Sequence, residues 1–153
     1  MTHVNLGKQH PAAYEKITEF DAAVQGAVAT AGLDPKLVEL VKIRVSQLNG
    51  CAFCLRMHTR DALALGESTD RLAVVAAWWE SQYFTPQEQA GLALAEDVTG
   101  LPRRTQETLY DDVLTADERS ALTWLAILMN AWNRIAIQSH YPVGGSVRRA
   151  ASD

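Results

Sequence analysis

The fold class is indicated first by the segment from Asp34 to Gly50, which reads DPKLVELVKIRVSQLNG. Asp34 can cap a helix with its carboxylate, and Pro35 suits the first helical position, where its missing N–H is not needed. Apolar residues then recur every three to four positions, which is the period of a helix with one buried face: Leu37, Leu40, Val41, Val45 and Leu48. The segment therefore predicts one helix that starts at Asp34-Pro35 and ends at Asn49-Gly50.

The sequence shows the same helical signals on both sides of this segment. Six further helices are expected: from about Pro11 to Ala31, from near Cys51 to Gly66, from Ser68 or Thr69 through Trp79, from Thr85 to Gly100, from about Arg104 to Val113, and from Thr115 through Ile135. No stretch alternates apolar and polar residues as a strand does. The chain is therefore predicted to be all-α, with a single domain over residues 1–153 and a loose tail after about residue 142.

Composition argues against several classes of function. Of the 153 residues, 48% are hydrophobic and 21% are charged, so the chain is expected to be globular. Its net charge of -4 argues against nucleic acid as a partner. No apolar run reaches the roughly 18 residues that a membrane span needs. The first ten residues, MTHVNLGKQH, lack the apolar core of an export signal, so the cytoplasm is the expected location.

Both cysteines of the chain lie three residues apart, at Cys51 and Cys54, and His58 follows four residues later. Residues three apart on a helix have Cα atoms about 5 Å apart, a separation that a disulfide allows. His58 falls on the same helix face, and its imidazole leans back over Cys54 because helical side chains point toward the N-terminus. In a reducing compartment, such a close pair is typical of redox or metal chemistry rather than of a structural bridge.

The position of this pair at a helix start favours a reactive thiolate. Unpaired N–H groups and the helix dipole stabilise an anion near Cys51, and an imidazole does the same near Cys54. A thiolate can attack a peroxide to give a sulfenic acid, which a neighbouring thiol converts to a disulfide. An external dithiol then reduces that disulfide. These arguments leave open which cysteine attacks, since the dipole favours Cys51 and the imidazole favours Cys54.

The spacing of Glu39, Cys51, Cys54 and His58 resembles the signature of the AhpD-like alkylhydroperoxidases, which belong to the carboxymuconolactone decarboxylase superfamily. The resemblance implies a catalytic role for all four residues. Cys54 would attack the peroxide and Cys51 would resolve the product. His58 and Glu39 would form a proton relay, partly through water, that activates Cys54.

Two later segments are also similar to this family, one from Trp79 to Thr99 and one from Asn130 to Arg134. The resemblance implies an all-helical homo-oligomer, commonly a trimer or a hexamer. It implies a hydroperoxide substrate, an external dithiol or thiol protein as reductant, and no cofactor or metal beyond the redox-active disulfide. The function expected is that of a thiol-dependent peroxidase acting on organic hydroperoxides or hydrogen peroxide.

One position departs from the family pattern. Well-characterised members carry a histidine just before the second cysteine, whereas this chain has Phe53. The relay therefore has one member fewer, and either a lower activity or a more apolar peroxide pocket is expected. The dedicated decarboxylase branch lacks the cysteine pair, which argues against lactone chemistry in this chain.

Three alternatives use the same sequence features. A disulfide oxidoreductase would need the same dithiol, although the chain lacks the Trp-Cys-Gly-Pro-Cys motif and the βαβ pattern of thioredoxins. A metal site could draw on Cys51, Cys54, His58 and Glu39, but structural zinc sites usually take their ligands from two separated pairs. A helical oligomer that only binds a partner would explain the four tryptophans and the apolar last helix, but not the cysteine pair.

Overall fold

The computed structural model describes residues 3–101, 110 and 112–144, and these residues form helices and turns without any strand. In chain order the helices are α1 (Leu6–Gln9), α2 (Pro11–Thr30), α3 (Pro35–Asn49), α4 (Ala52–Ala64), α5 (Thr69–Val74), a 3-10 helix (Val75–Glu80), α6 (Pro86–Gly100) and α7 (Ala116–Gln138). The all-α prediction is confirmed. The predicted helix from Arg104 to Val113 falls mostly outside the described residues, as does most of the predicted tail.

The helix starts follow the capping chemistry that the sequence predicted. The Asp34 carboxylate accepts a hydrogen bond from the Lys36 N–H and so begins α3. Thr85 and Thr115 form capping boxes with Glu88 and Glu118, and thereby begin α6 and α7. Each box satisfies two backbone N–H groups that would otherwise lack a partner at the helix start.

Two features of the helices differ from the sequence prediction. The segment predicted as one helix from Ser68 or Thr69 through Trp79 changes to a 3-10 helix, with a kink at Ala77 (φ -129°, ψ 36°). Residues three apart eclipse each other in a 3-10 helix, so Val75 and Trp78 lie on one side and are both buried. The single turn α1 was not predicted because four residues are too few to show a period.

Helix α3 lies at the centre of the fold, where it packs against α4, α6 and α7. Leu40, Val41 and Val45 are fully buried on it. Helix α6 approaches α3 closely at Gly91, where an added Cβ would meet the Leu37 side chain at 2.9 Å. This central position buries most of α3, including the polar residue Glu39, and so forces that carboxylate to find partners inside the protein.

Helix α7 packs against α2, α3 and α6 and closes the core on that side. Leu122, Leu125 and Leu128 are buried within the chain itself, while Trp124 and Ile127 remain 48% and 40% exposed. The chain's own core thus buries much of the apolar surface of this last helix, and the predicted trimer or hexamer stays a prediction. In the part of the chain that the structure describes, no helix combines the length and hydrophobicity of a bilayer span.

Candidate active site

The turn between α3 and α4 positions the cysteine pair. Gly50 ends α3 in the left-handed conformation (φ 68°), which glycine adopts without the strain that a side chain brings. The Cys51 N–H then donates to the Ser46 carbonyl, and Cys51 becomes the N-cap of α4. Its Sγ accepts a hydrogen bond from the Cys54 N–H at 3.3 Å. The sulfur of Cys51 thus takes the place that a serine or aspartate oxygen usually holds at a helix start.

Cys51 and Cys54 are joined by a disulfide, and their Cα atoms are 5.4 Å apart. This distance agrees with the helical spacing from which a reachable pair was predicted. Both residues are almost fully buried, with 1% and 2% of their surface exposed. A large partner therefore cannot reach either sulfur from bulk solvent without a change in the protein around it.

Glu39 and His58 form a buried pair beside the cysteines. The Nδ1 atom of His58 lies 3.0 Å from Oε2 of Glu39, and the Lys42 ammonium donates to Oε1 at 2.7 Å. Burial by itself raises the pKa of the Glu39 carboxyl, but the hydrogen bonds and charges of His58 and Lys42 outweigh it, so the pKa lies below its usual value. With Glu39 ionised, Nδ1 carries the proton of this contact, and Nε2 is left as the nitrogen that can take a proton.

The first cavity, with a volume of about 330 Å³, opens onto Cys54 and His58. Much of its wall is apolar or aromatic, and several polar side chains interrupt it. The apolar and aromatic part is formed by Phe53, Met57, Leu128, Met129, Trp132 and Ala136, and the polar part by Tyr14, Asp21, Gln25, Lys42 and Tyr141. The predicted residues Cys54 and His58 thus share one cavity, while Glu39 reaches it through His58 and Cys51 lies outside its lining.

Aromatic contacts organise one side of the first cavity. Phe53 packs edge to face against Tyr141, with 5.1 Å between ring centroids. Tyr14 does the same against Trp132 at 5.5 Å. Burial and a hydrogen bond with Tyr14 raise the pKa of Tyr141, so its phenol stays protonated at neutral pH. Phe53, which departs from the family pattern, therefore fills its position with an apolar contact and supplies no proton-transferring group.

Sequence reasoning missed Lys42, Tyr14 and Tyr141. Lys42 had a usable signal, because it follows Glu39 by three residues and such pairs meet on a helix surface. The two tyrosines lie 127 positions apart near opposite ends of the chain, and no local pattern could have brought them together. Their contact depends on the packing of α2 against the end of α7.

A network of one buried and two half-buried amides fixes the turn before α4. Asn49 donates through Nδ2 to Oδ1 of Asn130 and of Asn133, each at 3.0 Å. Asn133 in turn donates to the Ser46 hydroxyl, and Ser46 donates to the Lys42 carbonyl. Asn133 is fully buried, so each of its polar atoms needs such a partner. The network ties α7 to the last turn of α3 and thereby to the start of α4.

The ligands considered for the alternative of a metal site are not the group that the fold brings together. Among the described residues, the group of ligand atoms close enough to share an ion consists of Glu39, His58 and Asp61. Neither cysteine belongs to it, and in the disulfide state they offer no thiolate. Lys42 moreover bonds one oxygen of Glu39, which places a positive charge beside any ion at that position.

Comparison of the sequence with known proteins shows the family to which the chain belongs. A sequence profile of the carboxymuconolactone decarboxylase family matches residues 11–97. The chain belongs to this family. It is also 45% identical to the uncharacterized protein YdfG of Bacillus subtilis over 103 residues, which are 65% of this chain and 70% of YdfG. It is 30% identical to the uncharacterized protein YnjA of Escherichia coli over 101 residues, which are 66% of this chain and 56% of YnjA.

A solved structure of similar fold extends the comparison to nearly the whole chain. The protein is ATU0492 of Agrobacterium tumefaciens, described as a protein of unknown function and a candidate antioxidant defence protein AhpD. It is 30% identical, with a TM-score of 0.80 over 94% of this chain and 100% of the other. The AhpD-like resemblance seen in the sequence is therefore confirmed.

The matched family segment contains only part of the site. Residues 11–97 include Glu39, both cysteines and His58, but they end before α7. Helix α7 supplies Leu128, Met129 and Trp132 to the wall of the first cavity. In this member of the carboxymuconolactone decarboxylase family, the four residues of the signature and much of the wall of the first cavity thus come from different parts of the chain.

Proposed function

We propose that the protein is a thiol-dependent peroxidase that reduces organic hydroperoxides or hydrogen peroxide through a dithiol/disulfide cycle of Cys51 and Cys54. The observation that carries the proposal is the first cavity, which brings Cys54 and His58 together while His58 contacts an ionised Glu39. A positioned base beside a thiol is the usual means of generating a thiolate at neutral pH. Family membership and the AhpD-like neighbour support the same chemistry.

The proposed reaction begins when His58 takes the proton of the Cys54 thiol. The thiolate attacks the O–O bond, Cys54 becomes a sulfenic acid, and the leaving alkoxide takes the proton back to form an alcohol. The Cys51 thiol then attacks the sulfenic sulfur, which forms the disulfide and releases water. The substrate gains two electrons and the protein loses two. An external dithiol must restore both thiols before the next cycle.

Exchange with protein disulfides is the second candidate, since it uses the same dithiol. The burial of both sulfurs argues against it, because a disulfide on a protein surface cannot enter a cavity of about 330 Å³ and align with Cys54. A hydroperoxide is small enough to do so. The peroxidase proposal is therefore favoured by the burial of the sulfurs and the volume of the cavity rather than by the identity of the cysteines and the histidine.

The test compares single cysteine variants of the reduced protein with one equivalent of hydroperoxide. Cys54→Ser should abolish peroxide consumption, since a hydroxyl is far less nucleophilic than a thiol. Cys51→Ser should complete one turnover and then hold a sulfenic acid on Cys54, which a dimedone-type reagent and mass mapping detect. An adduct found only on Cys51 in Cys54→Ser would reverse the two roles. Full peroxide consumption by both variants would refute the thiol mechanism.

A further inference from the structure

Two hydrogen bonds fix the Asp21 carboxylate among the side chains that line the first cavity. The Trp132 indole N–H donates to Oδ2 at 2.8 Å, and the Gln25 side-chain amide donates through Nε2 to Oδ1 at 3.1 Å. Both donors belong to the lining together with Asp21 itself. Because these two nitrogens can only donate, both carboxylate oxygens act as acceptors, as in an ionised aspartate. The half-buried Asp21 therefore holds a negative charge at a defined position beside the cavity.

No ion pair offsets this carboxylate among the residues that the structure describes. Lys42, which also lines the cavity, directs its ammonium to Glu39 at 2.7 Å, so these two charges offset each other. Arg56 lies over the Phe53 ring at 5.8 Å but is not part of the lining. With a neutral imidazole as the base, as the proposed reaction requires, one uncompensated negative charge remains at the cavity, and it belongs to Asp21.

The size and the walls of the first cavity expose any ligand inside it to this charge. A round space of about 330 Å³ is about 9 Å across, close to the Debye length of about 8 Å at physiological ionic strength. A ligand in the cavity therefore cannot lie beyond the reach of Asp21. The apolar part of the wall also screens a charge far less than water does, so a second negative charge costs more free energy in the cavity than in solution. An uncharged ligand avoids this cost.

We propose that Asp21 selects substrates by charge: the first cavity accepts uncharged hydroperoxides with an apolar or aromatic body and rejects hydroperoxides that carry a carboxylate, such as those of fatty acids. The aromatic and aliphatic wall favours the apolar body, and Asp21 opposes the anion. Specificity is a difference between two affinities, to which repulsion of the wrong ligand contributes as well as attraction of the right one. The inference rests on the proposed function for the reaction, and it adds the class of substrate.

The test uses cumene hydroperoxide and its para-carboxylate, which share the reacting group and nearly the same body but differ by one negative charge. The fully reduced protein is mixed with each hydroperoxide, and disulfide formation is followed by alkylation and mass spectrometry. Reaction of both compounds with dithiothreitol gives the ratio of their intrinsic reactivities. The measured quantity is the ratio of the two rate constants for the protein, divided by this reference ratio. A change in the reactivity of Cys54 alters both rate constants alike and therefore cancels.

The unmodified protein should favour the uncharged hydroperoxide by about tenfold, which is the effect of one charge about 8 Å away in a medium between protein and water. Asp21→Asn should bring the ratio to within about twofold of unity, and it can keep both hydrogen bonds once the Gln25 amide turns its oxygen toward the new amide. Raising the salt concentration from about 0.05 M to about 0.5 M should also lower the ratio in the unmodified protein, because ions screen the charge.

Glu15→Gln is the matched control, because it removes the same charge from an exposed position on the same helix, outside the lining. It should leave the ratio unchanged. Binding of the two alcohol products to the disulfide form, followed by ligand-observed NMR, tests the charge selection without turnover. Cumyl alcohol should bind about tenfold more tightly than its para-carboxylate, and Asp21→Asn should remove the difference.

An equal preference for both hydroperoxides in the unmodified protein, or an unchanged ratio in Asp21→Asn, would overturn the proposal. A preference for the para-carboxylate would also overturn it, and would indicate that Lys42 binds the substrate carboxylate. Failure of the proposed function has a different signature. In that case neither hydroperoxide would oxidise the cysteines of the reduced protein, while the two alcohols would still differ in binding.

Discussion

Glu39 is held as a carboxylate by donors from two helices. Lys42 lies on the same helix as Glu39, whereas His58 comes from α4. The carboxylate thus has a partner on each of its two oxygens. Because Nδ1 of His58 is turned toward Glu39, Nε2 is the nitrogen with which the imidazole could act as a general base.

Replacement of His58 by alanine should slow hydroperoxide reduction at neutral pH by roughly 10²-fold, the usual scale for loss of a positioned base. The defect should shrink as pH rises toward the ordinary thiol pKa of about 8.5, because the thiol then ionises without help. Single-turnover rates between pH 6 and 9 provide the measurement. His10→Ala, at an exposed position with no side-chain capping bond, is the control and should be unchanged. A defect of constant size across this range would exclude a role in deprotonation.

At the scale of single residues, sequence reasoning predicted the cysteine pair and His58 from spacing alone, because Cys54 lies about one helical turn from Cys51 on one side and from His58 on the other. Glu39 could be found only by resemblance, since its buried contact with His58 joins residues 19 positions apart. Apart from Phe53, most wall residues of the first cavity were out of reach for the same reason. They acquire their positions from helix packing, which leaves no local mark in the sequence.

At the scale of the helices, α7 makes two kinds of contact with the rest of the fold. Its leucines fill the core, and its polar residues Asn130 and Asn133 hold the turn that presents Cys51. The segment from Asn130 to Arg134 is similar to the family in sequence. Its hydrogen bonds to Asn49 and Ser46 explain why asparagines occupy positions 130 and 133. Because the buried Asn133 amide must keep its hydrogen bonds, it specifies one register between α7 and α3 more sharply than apolar packing does.

Asn133→Leu should destabilise the protein by about 1–3 kcal/mol, because it leaves the buried Ser46 hydroxyl and the half-buried Asn49 amide with fewer partners. Equilibrium unfolding in urea, with both proteins in the disulfide state, gives the difference. Gln138→Leu, at an exposed position of the same helix, is the control and should change stability by less than about 0.5 kcal/mol. If Asn133→Leu were as stable as the unmodified protein, the amide network would not be what fixes the turn.

The starts of helices were predictable wherever the sequence contains a capping residue. Asp34, Thr85 and Thr115 each mark a start to within one residue. The change to a 3-10 helix at Val75 was not predictable, because it depends on burying Val75 and Trp78 against α3 rather than on any breaker residue. Local chemistry thus decides where helices begin, and packing decides where this one bends.

For the whole molecule, the assembly state is the main expectation to be measured. The resemblance implies a trimer or a hexamer, and Trp124 and Ile127 leave exposed apolar surface on α7. Light scattering at micromolar concentration should give a mass of three or six times 16.8 kDa. Trp124→Glu should lower this mass if α7 forms the interface, because a buried carboxylate without a partner opposes association. A monomer mass for the unmodified protein would refute the expected assembly.

The disulfide spans only three positions, within a single turn at the start of α4. Loop closure this short removes little conformational freedom from the unfolded chain, on the order of 2 kcal/mol in the loop-entropy account, compared with over 4 for a loop of 100 residues. The backbone hydrogen bond to Cys51 does not require the S–S bond either. In the proposed function, the bridge is therefore the oxidised form of a two-electron couple rather than a staple, and we expect that it can be reduced and formed again repeatedly while the fold stays intact.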